Sequence, residues 1–414
     1  MIYDWLILQL YYYLERMKKI GNSVLVALIP LFTVSFVSHL APYLYIPSLP
    51  DIAAYFDIVD KSETGSMMSA YYLALSLTLL LSGVVGDRRD KKKMLAAASV
   101  MIFIGAMLGS LSPDFELALT GWIFQGVGAA TITIVGQTWI GQTSHKDNVT
   151  SLFSYMAIVL SFAPLVAPVM GGLITEAFSW KYNFFIVGIL CLLSALFIYR
   201  AIPPPPVQNG PVSVRKVFND YLGIFLRSDF MVLMGASLSC FLFQGMLMAY
   251  SSFLFIDQLG LTPAVYGLIS VPVVIGSVIG QFPVVYLEKK CGLTAAFMFN
   301  SVVAAAALLF SLAFYMIKGT HTVSELALVI FVFSVGFGGH TFLATRNVMT
   351  AFSSQRSHAS ALMNFMDQFV GYIAAVAVQV LFMFLGSALL IHNVACGVAL
   401  ILIILTSYIY IKTN

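Results

Sequence analysis

The sequence predicts an all-α membrane protein of twelve transmembrane helices, arranged as two pseudo-symmetric halves of six. Three observations predict it. Of 414 residues, 60% are hydrophobic and 9% are charged; a soluble domain carries about 25% charged residues, so an ordinary water-soluble protein is excluded. High apolar and aromatic content also excludes a disordered chain. The apolar residues fall into runs near the length of about 20 that spans a bilayer as a helix, six before one polar break and six after it. The basic residues then sort by loop.

The runs are, in order, Val24–Ile46, Gly65–Val85, Met94–Leu111, Leu117–Thr138, Leu152–Ile174 and Phe184–Ile202. The break, 203–229, holds four consecutive prolines from Pro203 with Arg215, Lys216, Asp220 and Arg227. Six more runs follow: Phe230–Ile256, Ala264–Leu287, Leu293–Met316, Val323–Thr345, Ala359–Leu385 and Ala388–Ile411. The domain reading is therefore an N-terminal segment 1–23, a six-helix half 24–202, a linker 203–229 and a second half 230–414, the layout of a transporter built from repeats. In the N-terminal segment the charges Glu15, Arg16, Lys18 and Lys19 follow the apolar stretch, which is not the order of a cleaved signal peptide. Met17 is an alternative start, which would make residues 1–16 an upstream extension.

Charge placement tests the count. With the N-terminus in the cytoplasm and the runs alternating, 18 of the 21 Lys and Arg residues lie inside and only Lys61, Lys181 and Lys318 outside. Acids show no such bias. This is the positive-inside pattern, which concerns Lys and Arg rather than net charge. Losing one span would reverse every later loop and erase the asymmetry. Both termini are therefore expected in the cytoplasm. After loops and helix ends take the other acids, Asp367 remains as the one acid deep within a run. Such a group is costly in hydrocarbon and usually faces a bundle interior or a cavity.

Other classes find little support. A net charge of +3 without a basic helix or zinc knuckle does not point to nucleic acid. The four cysteines lie far apart, without metal-ligand or C-x-x-C spacing. No Walker loop supplies ATP-driven transport, and the six scattered histidines form no catalytic cluster. The reading is a transporter without cofactor or metal, acting as a monomer.

Two motifs sharpen this. Gly83-Val84-Val85-Gly86-Asp87-Arg88-Arg89-Asp90-Lys91-Lys92 follows the second run. It resembles the cytoplasmic-loop signature of the major facilitator superfamily, G-x-x-x-D-R-x-G-R-R/K, with Asp90 where that family usually has Gly. Gly83 would let two helices approach closely, Asp87 would cap a helix or pair across the gap between halves, and Arg88, Lys91 and Lys92 would hold the loop in the cytoplasm. The resemblance implies a conformational latch that does not touch substrate. In the fifth run, Ala163-Pro164 and Ala167-Pro168 precede Gly171-Gly172. This resembles the exporter motif of the same superfamily, in the form typical of its bicyclomycin/chloramphenicol-resistance drug exporters. Prolines bend a membrane helix and small residues four apart allow close packing. Tyr45–Ile52 and His358–Leu362 resemble that group's span 1 and span 11 signatures.

The resemblance implies a major facilitator fold and a drug:proton antiporter in a bacterial inner membrane, with a small molecule, protons and lipid as partners. Two departures stand against standard coupling. Such antiporters usually carry an acid in span 1 where this chain has Tyr43, and an Arg in span 4 where it has Trp122. Losing both together leaves local charge unchanged.

Asn364, Asp367, Gln368 and Gly371 recur at i, i+3, i+4 and i+7 and so share one helix face. A carboxyl there can bind and release a proton as a cavity alternates between wet and closed, so Asp367, with Asn364, Gln368 and His39, is the candidate coupling and substrate site. Tyr43, Tyr71, Trp122, Gln125, Gln244 and His340 are the candidate cavity wall, aromatic and weakly polar, suited to an amphipathic or lipophilic ligand. The alternative is a specific metabolite or siderophore carrier, importer or facilitator, with altered or absent proton coupling.

Overall fold

The computed structural model describes residues 22–85, 90–143, 146–202, 214–352 and 356–413. Among these residues there is no strand, as expected where no water is available to satisfy a strand's open edge. Twelve stretches are long and apolar enough to cross a membrane, from Ala27–Tyr55 to Ala388–Lys412.

Spans 1–6 comprise α1 (Asn22–Tyr45), a 3-10 turn (Ile46–Ser48), α2 (Leu49–Tyr55), α3 (Lys61–Val85), α4 (Lys91–Leu111), α5 (Phe115–Thr143), α6 (Lys146–Ser161), α7 (Ala163–Ala177) and α8 (Trp180–Ala201). Next comes α9 (Val214–Phe225). Spans 7–12 are built from α10 (Ser228–Ser252), a π-helical turn (Phe253–Gln258), α11 (Pro263–Ile269), α12 (Val271–Cys291), α13 (Leu293–Lys318), α14 (Val323–Ala351), α15 (Arg356–Leu385) and α16 (Ala388–Thr413).

Several ends follow directly from local chemistry. Asp90 caps α4 by accepting from the backbone N–H groups of Lys92 and Lys93. Thr322 and Glu325 form a reciprocal capping box on α14. Gly319, at φ 69°, ends α13 in the left-handed conformation that a side chain would strain.

Within the 203–229 break, α9 fills the second part. The fifth span carries an interruption at Phe162, where Pro164 sits in the first turn of α7. Proline supplies no N–H to the preceding turn. Asp87 and Arg88 lie outside the described residues. Gly83 lies in α3, but Lys91, expected in a solvated basic loop, is fully buried at the start of α4. Lys92 instead extends over the Tyr199 ring, 5.0 Å from its centroid.

The two sets of six meet along α3 and α15 and along α7 and α11. At α7 and α11 the backbones touch. A Cβ on Gly172 would collide with the carbonyl of Pro263, and one on Gly267 with the carbonyl of Pro168. Glu176 accepts a hydrogen bond from the Ala264 N–H at 3.1 Å. Beside it, Lys61 of α3 pairs with Asp257 of the π-helical turn. An even number of spans puts both described termini at one end of the bundle, and all these contacts lie toward the other. We call that other end the sealed end.

A buried polar knot fixes the bend of span 1 there. Asn183 donates to Ser48 at 2.9 Å, to Thr175 at 2.8 Å and to the Gly171 carbonyl at 3.2 Å. Ser48 and Thr175 are themselves 2.7 Å apart. Replacing Asn183 by Leu removes these three bonds while Ser48 and Thr175 keep each other and Thr175 keeps the Gly171 carbonyl, at a cost of about 1 kcal/mol. Thermal unfolding in detergent should therefore show a lower midpoint for Asn183→Leu than for the parent; an equal midpoint would contradict this role.

Candidate functional site

Below the sealed end, toward the termini, the described residues form two cavities between the sets of helices. The larger, about 260 Å³, is walled by Tyr43 of α1, Tyr72 of α3, Pro164 of α7, Phe241, Gln244 and Met248 of α10, Ser277 and Gln281 of α12, Phe337 of α14, and Asp367, Gln368 and Gly371 of α15. The smaller, about 130 Å³, is walled by Ser38, His39, Pro42 and Tyr43 of α1, Tyr71, Tyr72, Leu75 and Leu79 of α3, Ala129 and Thr133 of α5, and Asn364 and Gln368 of α15. Tyr43, Tyr72 and Gln368 belong to both walls and divide them.

Each polar group is placed by its helix. On α15 the i, i+3, i+4, i+7 stripe faces inward. Gly371 at its far end lets α15 pack against the Tyr72 ring, and Gln379 two turns on donates to Ser69 at 2.9 Å. Asp367 is held against the larger cavity with its Oδ1 buried and unbonded; Gln244 Oε1 opposite is in the same condition. No Lys, Arg or His stands in that wall. His39 lines the smaller cavity; its Nδ1 donates to the Ser35 carbonyl at 2.9 Å, which leaves Nε2 for another partner. The Tyr72 hydroxyl reaches Met248 Sδ at 3.5 Å, joining span 2 to span 7.

Seven expected residues are thus brought together: Asp367, Asn364, Gln368, His39, Tyr43, Tyr71 and Gln244. Three are not. Trp122 and Gln125 are 1% and 2% exposed and stand in neither wall. They share a face of α5 with Ala129 and Thr133 but lie nearer the sealed end. There Tyr45 fills the space, donating to Gln125 at 2.8 Å and packing 5.3 Å from Trp122. His340, 2% exposed, turns away to α13, where it meets Ser301 at 3.2 Å and the Phe297 ring. Phe241, Phe337 and Met248 were missed, because apolar residues in an apolar run give no sequence signal for facing a cavity. Ser277 and Gln281, spaced i, i+4 on span 8, did offer one.

A second buried polar group, around His392, stands apart from both cavities. His392 hydrogen-bonds with Tyr250 at 2.8 Å and Ser311 at 2.9 Å and ties α10, α13 and α16 together.

Twelve spans around cavities between two sets of six define a multi-pass membrane protein. The profile of the Major Facilitator Superfamily matches residues 31–376, and the chain belongs to that family. It is similar to the chloramphenicol resistance protein CraA of Acinetobacter baumannii, 27% identical over 238 residues, 57% of each chain. It is also similar to the multidrug resistance protein MdtL of Citrobacter koseri, 28% identical over 200 residues, 46% of this chain and 51% of that one. The chain thus spans little more than half the length of these curated relatives. The crystal structure of a D-xylose-proton symporter shares the fold, with a TM-score of 0.70 at 15% identity over 93% of this chain and 96% of that one.

Cysteine labelling checks the wall. With the exposed Cys291 replaced by Ser, Gln368→Cys and Asn364→Cys should react with a water-soluble maleimide. Gln125→Cys and His340→Cys should stay at background. Equal labelling of all four would overturn the assignment.

Proposed function

We propose that this chain is a secondary active transporter that exports a small amphipathic or lipophilic, drug-like molecule by alternating access in exchange for protons. Its setting would be a bacterial inner membrane, both termini cytoplasmic, with the monomer as the working unit. One observation carries the reading: Asp367 is an acid at depth, on the cavity wall, with an oxygen that no protein group engages. A proton or a ligand's N–H can fill that vacancy, and the two would compete for it. The aromatic wall of Tyr43, Tyr72, Phe241 and Phe337 supplies flat apolar surface. The names of the relatives add support, since two of them confer drug resistance.

On this orientation the sealed end faces out and the cavities lie toward the cytoplasm, where an exporter loads. The domain reading of two halves joined through 203–229 fits the contacts at α3–α15 and α7–α11, between which each set would rock.

A second reading is a facilitator or specific metabolite or siderophore carrier. It is favoured by Tyr43, which lines both cavities where related antiporters carry an acid, and by Trp122, buried where they carry an Arg. Tyr71 links the two sites, lining the smaller cavity with Tyr43 while its ring lies 6.2 Å from Trp122.

Flux in proteoliposomes separates the readings. Chloramphenicol and a lipophilic dye should move faster under an imposed pH gradient. Asp367→Asn should cut that gradient-driven flux by about tenfold or more, the scale of a lost charge-assisted hydrogen bond. Flux of the parent protein that ignores the gradient favours the carrier; unchanged gradient dependence in Asp367→Asn removes Asp367 from coupling.

A further inference from the structure

Between the span that ends at Ala201 and the one that begins at Phe230, α9 lies at the end of the bundle that carries the described termini. Its apolar residues occupy one broad arc at 3.6 residues per turn, but that arc has two destinations. On one flank Tyr221 and Ile224 are buried. They pack with Phe230, Met234, Phe352, Ala359 and Leu362, and the Tyr221 ring lies 5.6 Å from that of His358 on α15. On the other flank Phe218 is 63% and Leu222 44% exposed, and Leu226 just beyond is 71% exposed. Nothing else in the described protein covers this second flank. The sequence of α9 itself holds Arg215 and Lys216 against one acid, Asp220, and Arg227 beyond its end lies over the Phe352 ring, 4.4 Å from the centroid.

We propose that α9 is a lipid-binding surface helix: Phe218, Leu222 and Leu226 enter the headgroup–acyl boundary of the leaflet, and the surplus basic charge selects anionic headgroups. Apolar side chains in the interface together with cationic ones at the headgroups are the two terms that hold such a helix to a bilayer. Water is a poor occupant for three large apolar side chains on one flank. A lipid leaflet is already alongside, because the flanking spans cross it. The seat also has a consequence. Through Tyr221 and His358, α9 bears on the first turns of α15, two turns below Asn364 and Asp367. Anionic lipid would therefore steady the start of the helix that carries the candidate site.

Hydrogen–deuterium exchange on the full chain tests this without a known substrate. The protein is placed in nanodiscs of phosphatidylcholine alone, or of phosphatidylcholine with phosphatidylglycerol. Exchange of the 214–225 backbone should slow by about fivefold or more in the anionic discs, and exchange at the start of α15 should slow with it. Phe218→Glu combined with Leu222→Glu should abolish the difference while the melting midpoint in detergent stays at the parent value. Phe218→Ser serves if the double variant does not fold, and should reduce the difference. Equal exchange in the two lipids, or a difference that survives these substitutions, overturns the proposal. A response confined to α9 overturns its link to α15.

Discussion

Inside hydrocarbon a peptide N–H or C=O that leaves its helix finds no water, so each such departure must be covered by protein. That constraint orders this molecule. Its departures are the 3-10 turn at Ile46–Ser48, the interruption at Phe162, the π-helical turn at Phe253–Gln258 and the break at Ser270. Most gather where the two sets of helices meet. The 3-10 turn packs on α10 and α11, the π-helical turn packs on α2, and α7 packs on α11. The irregular backbone thus forms the sealed end, and the regular helices below it are left to diverge around the cavities. The Ser48–Thr175–Asn183 knot lies at the same end, tying the first span to α7 and α8 through side chains and engaging the Gly171 carbonyl of α7.

Electrostatics in the cavity follow from what the wall omits. Among the described residues no Lys, Arg or His shares the larger cavity's wall with Asp367. The tyrosines at 43, 71 and 72 supply hydroxyls without fixed charge. Tyr43 stands in both cavity walls, whereas Trp122 lies in an aromatic core with Tyr45 and Phe184. The titratable groups on the two walls are Asp367 of α15, the tyrosines, and His39 across the smaller cavity.

The architecture was legible because bilayer thickness and leaflet charge act on composition directly: run length marks a span, and Lys and Arg mark a side. The α15 stripe was legible for a related reason, since polar residues at helical spacing are rare in an apolar run and so stand out. Trp122 and Gln125 show the limit. They share a face with Ala129 and Thr133, and a helical wheel records the face but not the depth at which a neighbouring Tyr45 fills the space. His340 shows another limit, because a face turned to the cavity and one turned to α13 look alike in a run of glycines. The helix α9 was hidden by the prolines and charges that mark its segment as a loop.

For the proposed transporter, the partition made by Tyr43, Tyr72 and Gln368 has a kinetic consequence. Two chambers of unequal size behind a shared aromatic wall allow two unlike molecules to be held at once. Competition between cargoes would then be partial rather than complete, and its extent would depend on whether each one reaches past the tyrosines. A blocker need not resemble any cargo either. A rod long enough to lie in both chambers would pin α1, α3 and α15 together, stopping the cycle by wedging the helices rather than by occupying the acid.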